Sequence, residues 1–499
     1  MSSTNAVKVC IVGTARHTWR TDDLAPEPLT MWEEVARAAI DDVGASRDVA
    51  AELDHLGVVH TQSWPYDDPV ARLGTRLGRD DLSGTYSILA GTSPQRMLDE
   101  AAAAMVRGEV SAALVVGAEA QSTLQRLEKA GETPDWSHRD PAPVGVEAML
   151  SEWYLPTEFR HGILPAWLTF ALLGQARWAA RGARAADRSV MFEQLSAISS
   201  VAAASPHAWF PVAHSAERLA STADGNRMVA TPFTKLTTAF PFVDMAAANI
   251  MVTEAVADRW GVPADRRVYL RGWGFARDAS HIAARTDLTS SPAMRAATSD
   301  AMAMAGVDRD DIDVFDLYSC FGTAVQFARE ALGLADDDPR PVSLTGGLPF
   351  HGGPGSNYMG HSISAMVEHL RSGAATTAMV TGVGMHMTKH VAAVWSTERG
   401  TTPLSSSSDP QRTVLDDGAE APAVRETAEG PVTIEAASAI YDRAGEPTSV
   451  VAICGLPDGS RCYALSTATD VIDAVATDRW AGTPASVAPT DAGVNLLRV

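Results

Sequence analysis

A glycine-rich segment at residues 345–355, with the sequence TGGLPFHGGPG, is the part of this chain whose composition best suits chemistry. Glycines let the backbone approach a ligand closely and adopt angles that other residues avoid. Their N–H groups can stabilise negative charge on a substrate oxygen without any catalytic side chain. The segment therefore predicts an oxyanion site built from main-chain donors.

The segment resembles the active-site loop of the thiolase superfamily, which reads Gly-Gly, four residues, then Gly-His-Pro. In thiolases that histidine activates a cysteine that becomes acylated. Here Gly353 stands at the histidine position. His351 lies two residues earlier, and residues two apart on an extended loop can point the same way, so His351 could replace the missing acid/base. A surface or helix-capping role for His351 is the alternative.

Residues 316–321, with the sequence DLYSCF, resemble the His-Asp-Cys-Phe motif of the sterol-carrier-protein-type thiolases. The resemblance implies that Cys320 is the acid/base at the α-carbon of the substrate, and that Tyr318 replaces the histidine that helps to bind the substrate oxyanion. A thiol suits this role because neighbouring dipoles can tune its pKa towards neutrality. The alternative is that Cys320 is a small buried apolar side chain.

The nucleophilic cysteine of the family is missing from its expected position. None of the four cysteines lies in the segment where thiolases carry it, and the family spacing places Gly91 there, within the sequence GTSP at 91–94. Ser93 or Thr92 before Pro94 predicts a helix cap. A serine nucleophile is the alternative, and it would need a positioned base.

The resemblance implies further contacts with a substrate. The backbone at Gly91, Gly353 and Gly384 is expected to face the substrate oxygen. Ser93 and Asn357 are expected to contact the substrate. These five positions and the three side chains Cys320, Tyr318 and His351 make up the predicted site.

Two clusters of basic side chains are candidates for ligand contacts. Arg177 and Arg181 lie where thiolases meet the phosphates of coenzyme A, although arginines at helical spacing also form solvated helix faces. His386, Lys389 and His390 follow the glycines at 382–384, and the sequence predicts a solvated cluster there.

Two stretches of the chain read alike, each with a helix, an acidic connector and a buried strand. The helices are predicted at Met31–Val43 and Met294–Ala305. Short apolar runs such as Val9–Val12 and Ala113–Val116 predict strands buried on both faces. This alternation predicts an α/β fold, which the thiolase resemblance extends to a duplicated fold of two α/β halves with central mixed sheets, in layers αβαβα.

The predicted domain division has a first half, an inserted helical loop domain, a second half, a linker and an added β domain. In relatives the loop domain covers the active site. Strand-like runs at 432–441, 449–456 and 461–466 predict a small, OB-like β domain. The domains are residues 1–120 with 237–262, 121–236, 263–398, 399–430 and 431–499.

Composition restricts the partners. A formal net charge of −21 argues against nucleic acid and anionic membranes. No cleavable leader or stretch of twenty apolar residues is found, and four scattered cysteines fit reduced thiols, so a cytoplasmic protein is expected. Counting outward from the turn at 457–460 pairs Gly455, not Cys454, with Cys462, which argues against a cross-strand disulfide.

We therefore expect a thiolase-like acyl-CoA-binding protein of the acyltransferase class, resembling acetyl-CoA acetyltransferase-like proteins of lipid metabolism. Its expected ligand is a coenzyme A thioester, with no covalent cofactor and no metal. The missing nucleophile argues against thiolysis. One alternative is a retro-aldolase or lyase that uses Tyr318 and Cys320, since some thiolase-fold steroid side-chain aldolases carry such a tyrosine and work with an OB-fold partner. The other alternative is a non-catalytic binder or scaffold. A monomer or a homodimer is expected.

Overall fold

The apolar runs of both halves form the central strands of one large mixed sheet. The computed structural model describes residues 6–20, 22–144, 153–182, 184–408, 420–481 and 483–499. The strands are β1 Val9–Thr18, β2 His55–Val58, β3 Gly84–Tyr86, β4 Ala112–Ala120, β5 Met228–Ala230, β6 Phe233–Thr234, β7 Asp244–Thr253, β8 Val268–Arg277, β9 Val314–Asp316, β10 Thr377–Gly384, β11 Lys389–Ser396, β12 Val424–Arg425, β13 Gly430–Tyr441, β14 Pro447–Gly455, β15 Arg461–Ser466, β16 Pro484–Pro489 and β17 Asn495–Arg498.

The two halves repeat one strand order. In the nine-stranded sheet the order is β3-β2-β4-β7-β1-β8-β11-β10-β9. In the first half β1 pairs antiparallel with β7, and β4 pairs parallel with β2. In the second half β8 pairs antiparallel with β11, and β10 pairs parallel with β9. The halves meet where Cys10 and Ile11 of β1 pair antiparallel with Tyr269 and Val268 of β8. The predicted duplicated α/β fold is confirmed, and its two sheets continue into each other through this short pairing.

Helices complete the layers. They are α1 Pro28–Val43, α2 Val49–Glu52, α3 Pro69–Arg76, α4 Ser93–Arg107, α5 Gln121–Ala130, α6 Pro156–Arg160, α7 Ala166–Arg181, α8 Arg184–Ala204, α9 Ala216–Ala220, α10 Glu254–Trp260, α11 Pro292–Ala305, α12 Gly322–Ala331, α13 Tyr358–Arg371 and α14 Thr469–Ala476. Helices α4 and α13 contact each other and strands of both halves, so they form the central layer. Helices α1 and α11 cover the outer faces, at the positions where the two repeated stretches predict helices.

The inserted segment is helical, and α7 and α8 are its two long helices. Helix α7 is buried on nearly every side because it packs against both β13 and α12. A helix that is apolar all round belongs inside a core. The segment therefore joins the second half to the C-terminal strands.

The C-terminal strands close into a five-stranded barrel. Strand β13 pairs with β14, β14 with β15, β15 with β17, β17 with β16, and β16 again with β13. Helix α14 lies between the third and fourth strands. This is the connectivity of an OB barrel. The predicted small, added, OB-like β domain is thus present.

The barrel is joined to the rest of the molecule by pairing and by buried contacts. Ile440 of β13 pairs with Ala230 of β5, and the Ser438 hydroxyl donates to the Thr231 carbonyl at 3.0 Å. Barrel residues such as Tyr463 belong to the main apolar core. Within the predicted linker, residues 409–419 lie outside the described residues, and β12 pairs with β15.

The β14–β15 hairpin corrects the expected register. Cys454 lies directly opposite Cys462, and Gly455 lies opposite Arg461. Leu456 and Ser460 close the turn with a hydrogen bond of 2.8 Å, and Gly459 has a φ of 84°. A three-residue loop that ends in a left-handed glycine shifts the register by one residue relative to a four-residue turn. Both cysteines are buried as free thiols.

Candidate active site

A buried carboxylate fixes the glycine-rich segment to the end of β9. Asp316 accepts hydrogen bonds from the Leu344 and Thr345 N–H groups, at 2.6 and 2.9 Å, and from the Ser362 hydroxyl at 2.9 Å. Burial raises the pKa of Asp316. Asp316 is absent from the predicted site, although an acidic residue at the carboxyl end of a buried strand was a usable signal.

The glycine-rich segment needs glycine where it turns against α8. Gly346 has a φ of 102°, and a Cβ there would lie 2.5 Å from the backbone of Ala202. Only glycine adopts such angles without strain. A single π turn follows at Gly347–His351 and buries the histidine.

Tyr318 points at the position expected for the missing nucleophile. A Cβ at Gly91 would lie 2.4 Å from the Tyr318 hydroxyl oxygen and 2.4 Å from the Val383 carbonyl oxygen. The Tyr318 N–H donates to the Thr381 hydroxyl at 3.0 Å, which fixes the backbone beside β10. Burial raises the pKa of Tyr318, so its hydroxyl stays protonated and can act as a donor.

Cys320 follows closely and is buried, with 6% of its surface exposed. Burial raises the pKa of its thiol well above the ordinary value. A charge on Cys320 would raise the pKa of Tyr318 further. In this closed arrangement Cys320 is a protonated thiol, able to give up a proton only to a strong base.

Tyr358 lies between His351 and Tyr318. The Tyr358 ring contacts the Tyr318 ring at 5.3 Å and the His351 ring at 6.0 Å, measured between centroids. His351 is fully buried, and burial lowers its pKa to about 3. The imidazole is therefore neutral near pH 7, and its basicity is weak.

Two predicted donors already have partners. The Gly353 N–H donates to the Phe240 carbonyl at 2.8 Å, so it is not free to bind a substrate oxygen in this conformation. The Asn357 amide donates to the Gly117 carbonyl at 2.6 Å and ties α13 to β4. In this conformation both groups are engaged within the protein, and their contact with a substrate stays a prediction.

Gly384 and Ser93 are neighbours of Gly91. A Cβ at Gly384 would contact the Ala90 Cβ at 3.4 Å, next to Gly91. The Ser93 hydroxyl donates to the Ile88 carbonyl at 2.9 Å, and the residue lines a cavity of about 430 Å³. Tyr318, Cys320 and His351 do not line this cavity.

Carboxylates neutralise the arginines of the loop domain. Arg177 pairs with Glu330, and Arg181 lies 3.3 Å from Asp187 and 3.7 Å from Asp336. Both arginines therefore have carboxylate partners in this structure, and their contact with coenzyme A phosphates stays a prediction.

The strand-end histidines are buried instead of solvated. His386 is flanked by Met385 and Met387, whose φ values of 54° and 58° are strained for residues other than glycine. Its ring contacts the Thr169 hydroxyl at 2.9 Å and the Tyr154 hydroxyl. Burial lowers the pKa of His386 to about 4. This turn therefore fixes the β10–β11 hairpin against the loop domain.

Glu119 is a second buried carboxylate that the sequence analysis missed. It accepts from the Gln62 N–H at 2.8 Å and the Ser63 N–H at 3.0 Å, and burial raises its pKa. A Cβ at Gly355 would lie 2.3 Å from its carboxylate oxygen. Glu119 therefore packs the first half against the glycine-rich segment.

Neither a metal site nor a membrane span is found in the residues that the structure describes. No group of three His, Cys, Asp or Glu side chains there could hold a metal ion. No helix in the same residues has the length and apolar character needed to cross a bilayer.

The fold is that of a thiolase-like protein, and the chain belongs to the thiolase-like superfamily. Along its length it is similar to a monomeric SCP2-thiolase-like protein type 1 from Mycobacterium smegmatis, with 28% identity, a TM-score of 0.82 and 98% of each chain covered. No protein-family model and no curated protein matches the sequence.

More distant structures share the fold. An Ltp2–ChsH2(DUF35) aldolase has 17% identity and a TM-score of 0.61, over 78% of this chain and 97% of that chain. Human mitochondrial 3-ketoacyl-CoA thiolase has 14% identity and a TM-score of 0.56, over 79% and 99%. That thiolase is also known in complex with CoA.

Proposed function

We propose that the protein binds a coenzyme A thioester at the site around Tyr318 and does not catalyse thiolysis. The relation between Gly91 and Tyr318 supports the proposal: the Tyr318 hydroxyl oxygen would lie 2.4 Å from a Cβ at position 91, where the thiolase resemblance implies the nucleophile. Without a nucleophile no acyl-enzyme forms, and no histidine stands at position 353 to activate one.

Tyr318 supplies the chemistry that remains. A protonated phenol can donate a hydrogen bond to the thioester oxygen and stabilise the negative charge of an enolate. Because Tyr318, Cys320 and His351 are buried, binding requires that the side chains packed around them move.

The test is calorimetric titration of the full chain with acetyl-CoA, acetoacetyl-CoA and 3-hydroxybutyryl-CoA, followed by intact-mass measurement. We expect binding, no mass increase from acylation and no thiol-dependent cleavage of acetoacetyl-CoA. Tyr318→Phe should weaken binding, whereas Tyr441→Phe in the barrel should not. A covalent adduct, or no binding to any thioester, would contradict the proposal.

A retro-aldolase is the second candidate, and the barrel favours it. The OB barrel is fused to the chain and packs on α7, and one structure of similar fold is an aldolase with a DUF35 partner. In the reaction the Cα–Cβ bond of a β-hydroxyacyl thioester breaks, its electrons pass to the enolate that Tyr318 stabilises, and Cα takes a proton from Cys320. The proton lost from the β-hydroxyl group restores the thiol, so no co-reactant is consumed.

The lyase is tested by mass spectrometry of β-hydroxyacyl-CoA incubations. We expect a shorter acyl-CoA and a carbonyl product in equal amounts, lost in Tyr318→Phe and reduced in Cys320→Ala. Binding of the same substrates with no product at any pH would exclude the lyase and leave a non-catalytic binder.

A further inference from the structure

A cavity of about 430 Å³ beside the start of α4 carries three cations on its wall. Arg277 comes from β8, Lys389 from β11 and Arg96 from the first turn of α4. We propose that this cavity binds the phosphate group of an organic phosphate ester, with Arg277 and Lys389 as its principal contacts.

Arg277 and Lys389 lie directly opposite each other in the β8–β11 pair. Side chains at such positions lie on the same face within about 5.5 Å at Cβ, and like charges there destabilise the pairing. An anion between them would convert this repulsion into attraction. Phosphate suits the geometry, because a guanidinium binds two of its oxygens and an ammonium adds a point charge.

The charges of this pair are not compensated. In the described residues no carboxylate lies within ion-pair distance of Arg277 or Lys389, and the Arg277 Nε is buried without a hydrogen-bond partner. Glu100 pairs with Arg96 at the rim. Burial and the charges of Arg277 and Arg96 together lower the pKa of Lys389.

The rest of the cavity suits the apolar part of an ester. Phe275 lies on the same face of β8 as Arg277, with the Arg96 guanidinium 4.4 Å from the centre of its ring. Ile88 and Tyr86, which are 65% and 38% exposed, line the cavity from the first half.

The cavity lies close to the proposed thioester site but is separate from it. Thr92 and Ser93 line the cavity, while Gly91 faces Tyr318. The inference goes beyond the proposed function because other esters carry a phosphate group as coenzyme A does, so a ligand of this cavity need not be a thioester.

The test is calorimetric titration of the full chain with inorganic pyrophosphate, adenosine 3′,5′-bisphosphate, coenzyme A and, as a phosphate-free arm, pantetheine. We expect the phosphate compounds to bind and pantetheine to bind far more weakly. Lys389→Gln and Arg277→Gln should each weaken phosphate binding about tenfold. Lys129→Gln, which removes an exposed lysine on α5, is the matched control and should bind as the wild type does.

The outcomes separate this proposal from the proposed function. No binding of any phosphate compound, or unchanged binding in both Lys389→Gln and Arg277→Gln, overturns the cavity. Thioester binding that is insensitive to both variants overturns the cavity while the proposed function stands. Pyrophosphate binding that depends on both residues supports the cavity even if no thioester binds. Melting curves of the unliganded variants, expected at or above the wild-type temperature, show that each variant is folded.

Discussion

The Tyr318 hydroxyl and Gly91 are so close that no side chain fits between them, since a Cβ at position 91 would lie 2.4 Å from the hydroxyl oxygen. The contact joins the segment after β9 to the start of α4. The phenol of Tyr318 therefore excludes a cysteine, or any other side chain, at position 91 in this conformation.

Gly91→Ala should lower the free energy of unfolding by about 1–3 kcal/mol, as expected for overpacking in a tight core. Adding Tyr318→Phe should restore only part of the loss, because the ring carbon at 2.9 Å and the Val383 carbonyl remain. Urea denaturation measures both. Gly353→Ala is the control, since a Cβ there meets nothing closer than 3.4 Å. Equal stability of Gly91→Ala and wild type would refute the contact.

Asp316→Ala should destabilise the protein by about 3 kcal/mol or more, because it leaves buried donors of Leu344, Thr345 and Ser362 without their acceptor. Thermal unfolding measures the loss. Asp310→Ala, which removes an exposed carboxylate beside Arg309, should change the melting temperature little. Similar melting temperatures for the two variants would show that Asp316 does not hold the segment.

Stability should fall as the pH falls from 7 to 5. Burial lowers the pKa of His351 to about 3 and of His386 to about 4, so the folded state keeps both rings neutral while the unfolded state takes up protons below about pH 6.5. Each ring should cost about 2 kcal/mol at pH 5. His386→Gln should reduce the slope of stability against pH, and His17→Gln, at an exposed site, should not. An unchanged slope in His386→Gln would contradict the burial.

Tyr463→Phe should weaken the junction between the barrel and the loop domain. The Tyr463 hydroxyl donates to Glu158 at 2.7 Å and accepts from the Ala283 N–H at 3.2 Å. Its removal should cost about 1–3 kcal/mol because Glu158 and Ala283 are buried. Calorimetry should show a lower melting temperature. Tyr441→Phe, at a half-buried hydroxyl, should have a smaller effect, and the reverse order would contradict the role of Tyr463.

The sequence predicted the elements that depend on local pattern. The helices near Met31 and Met294 and the buried strands follow from apolar spacing and from repetition, and the C-terminal strands follow from alternation and turns. The thiolase-like fold was predicted from the glycines of the glycine-rich segment. At Gly346 the structure requires glycine, because a Cβ there would clash with the backbone of Ala202.

What the sequence did not predict depends on residues far apart in the chain. The sequence did not predict that Glu330 would pair with Arg177. Nor did it predict that the Phe240 carbonyl would accept the N–H of Gly353. Cys454 lies opposite Cys462 because the turn is one residue shorter than predicted. A change of one residue in the turn changes which residues of the two strands pair. Arg277 and Lys389 became neighbours only through strand pairing.

The pairing of β5 with β13 has a consequence for biosynthesis. Ala230 of β5 pairs with Ile440 of β13, so a strand made in the middle of the chain finds its partner only after about 210 further residues have been made. Until then the loop domain exposes apolar surface that the finished molecule hides, and long-range pairings of this kind are slow to form. The nascent chain therefore carries an unpaired β5 until β13 has been made, and this folding step comes late in synthesis.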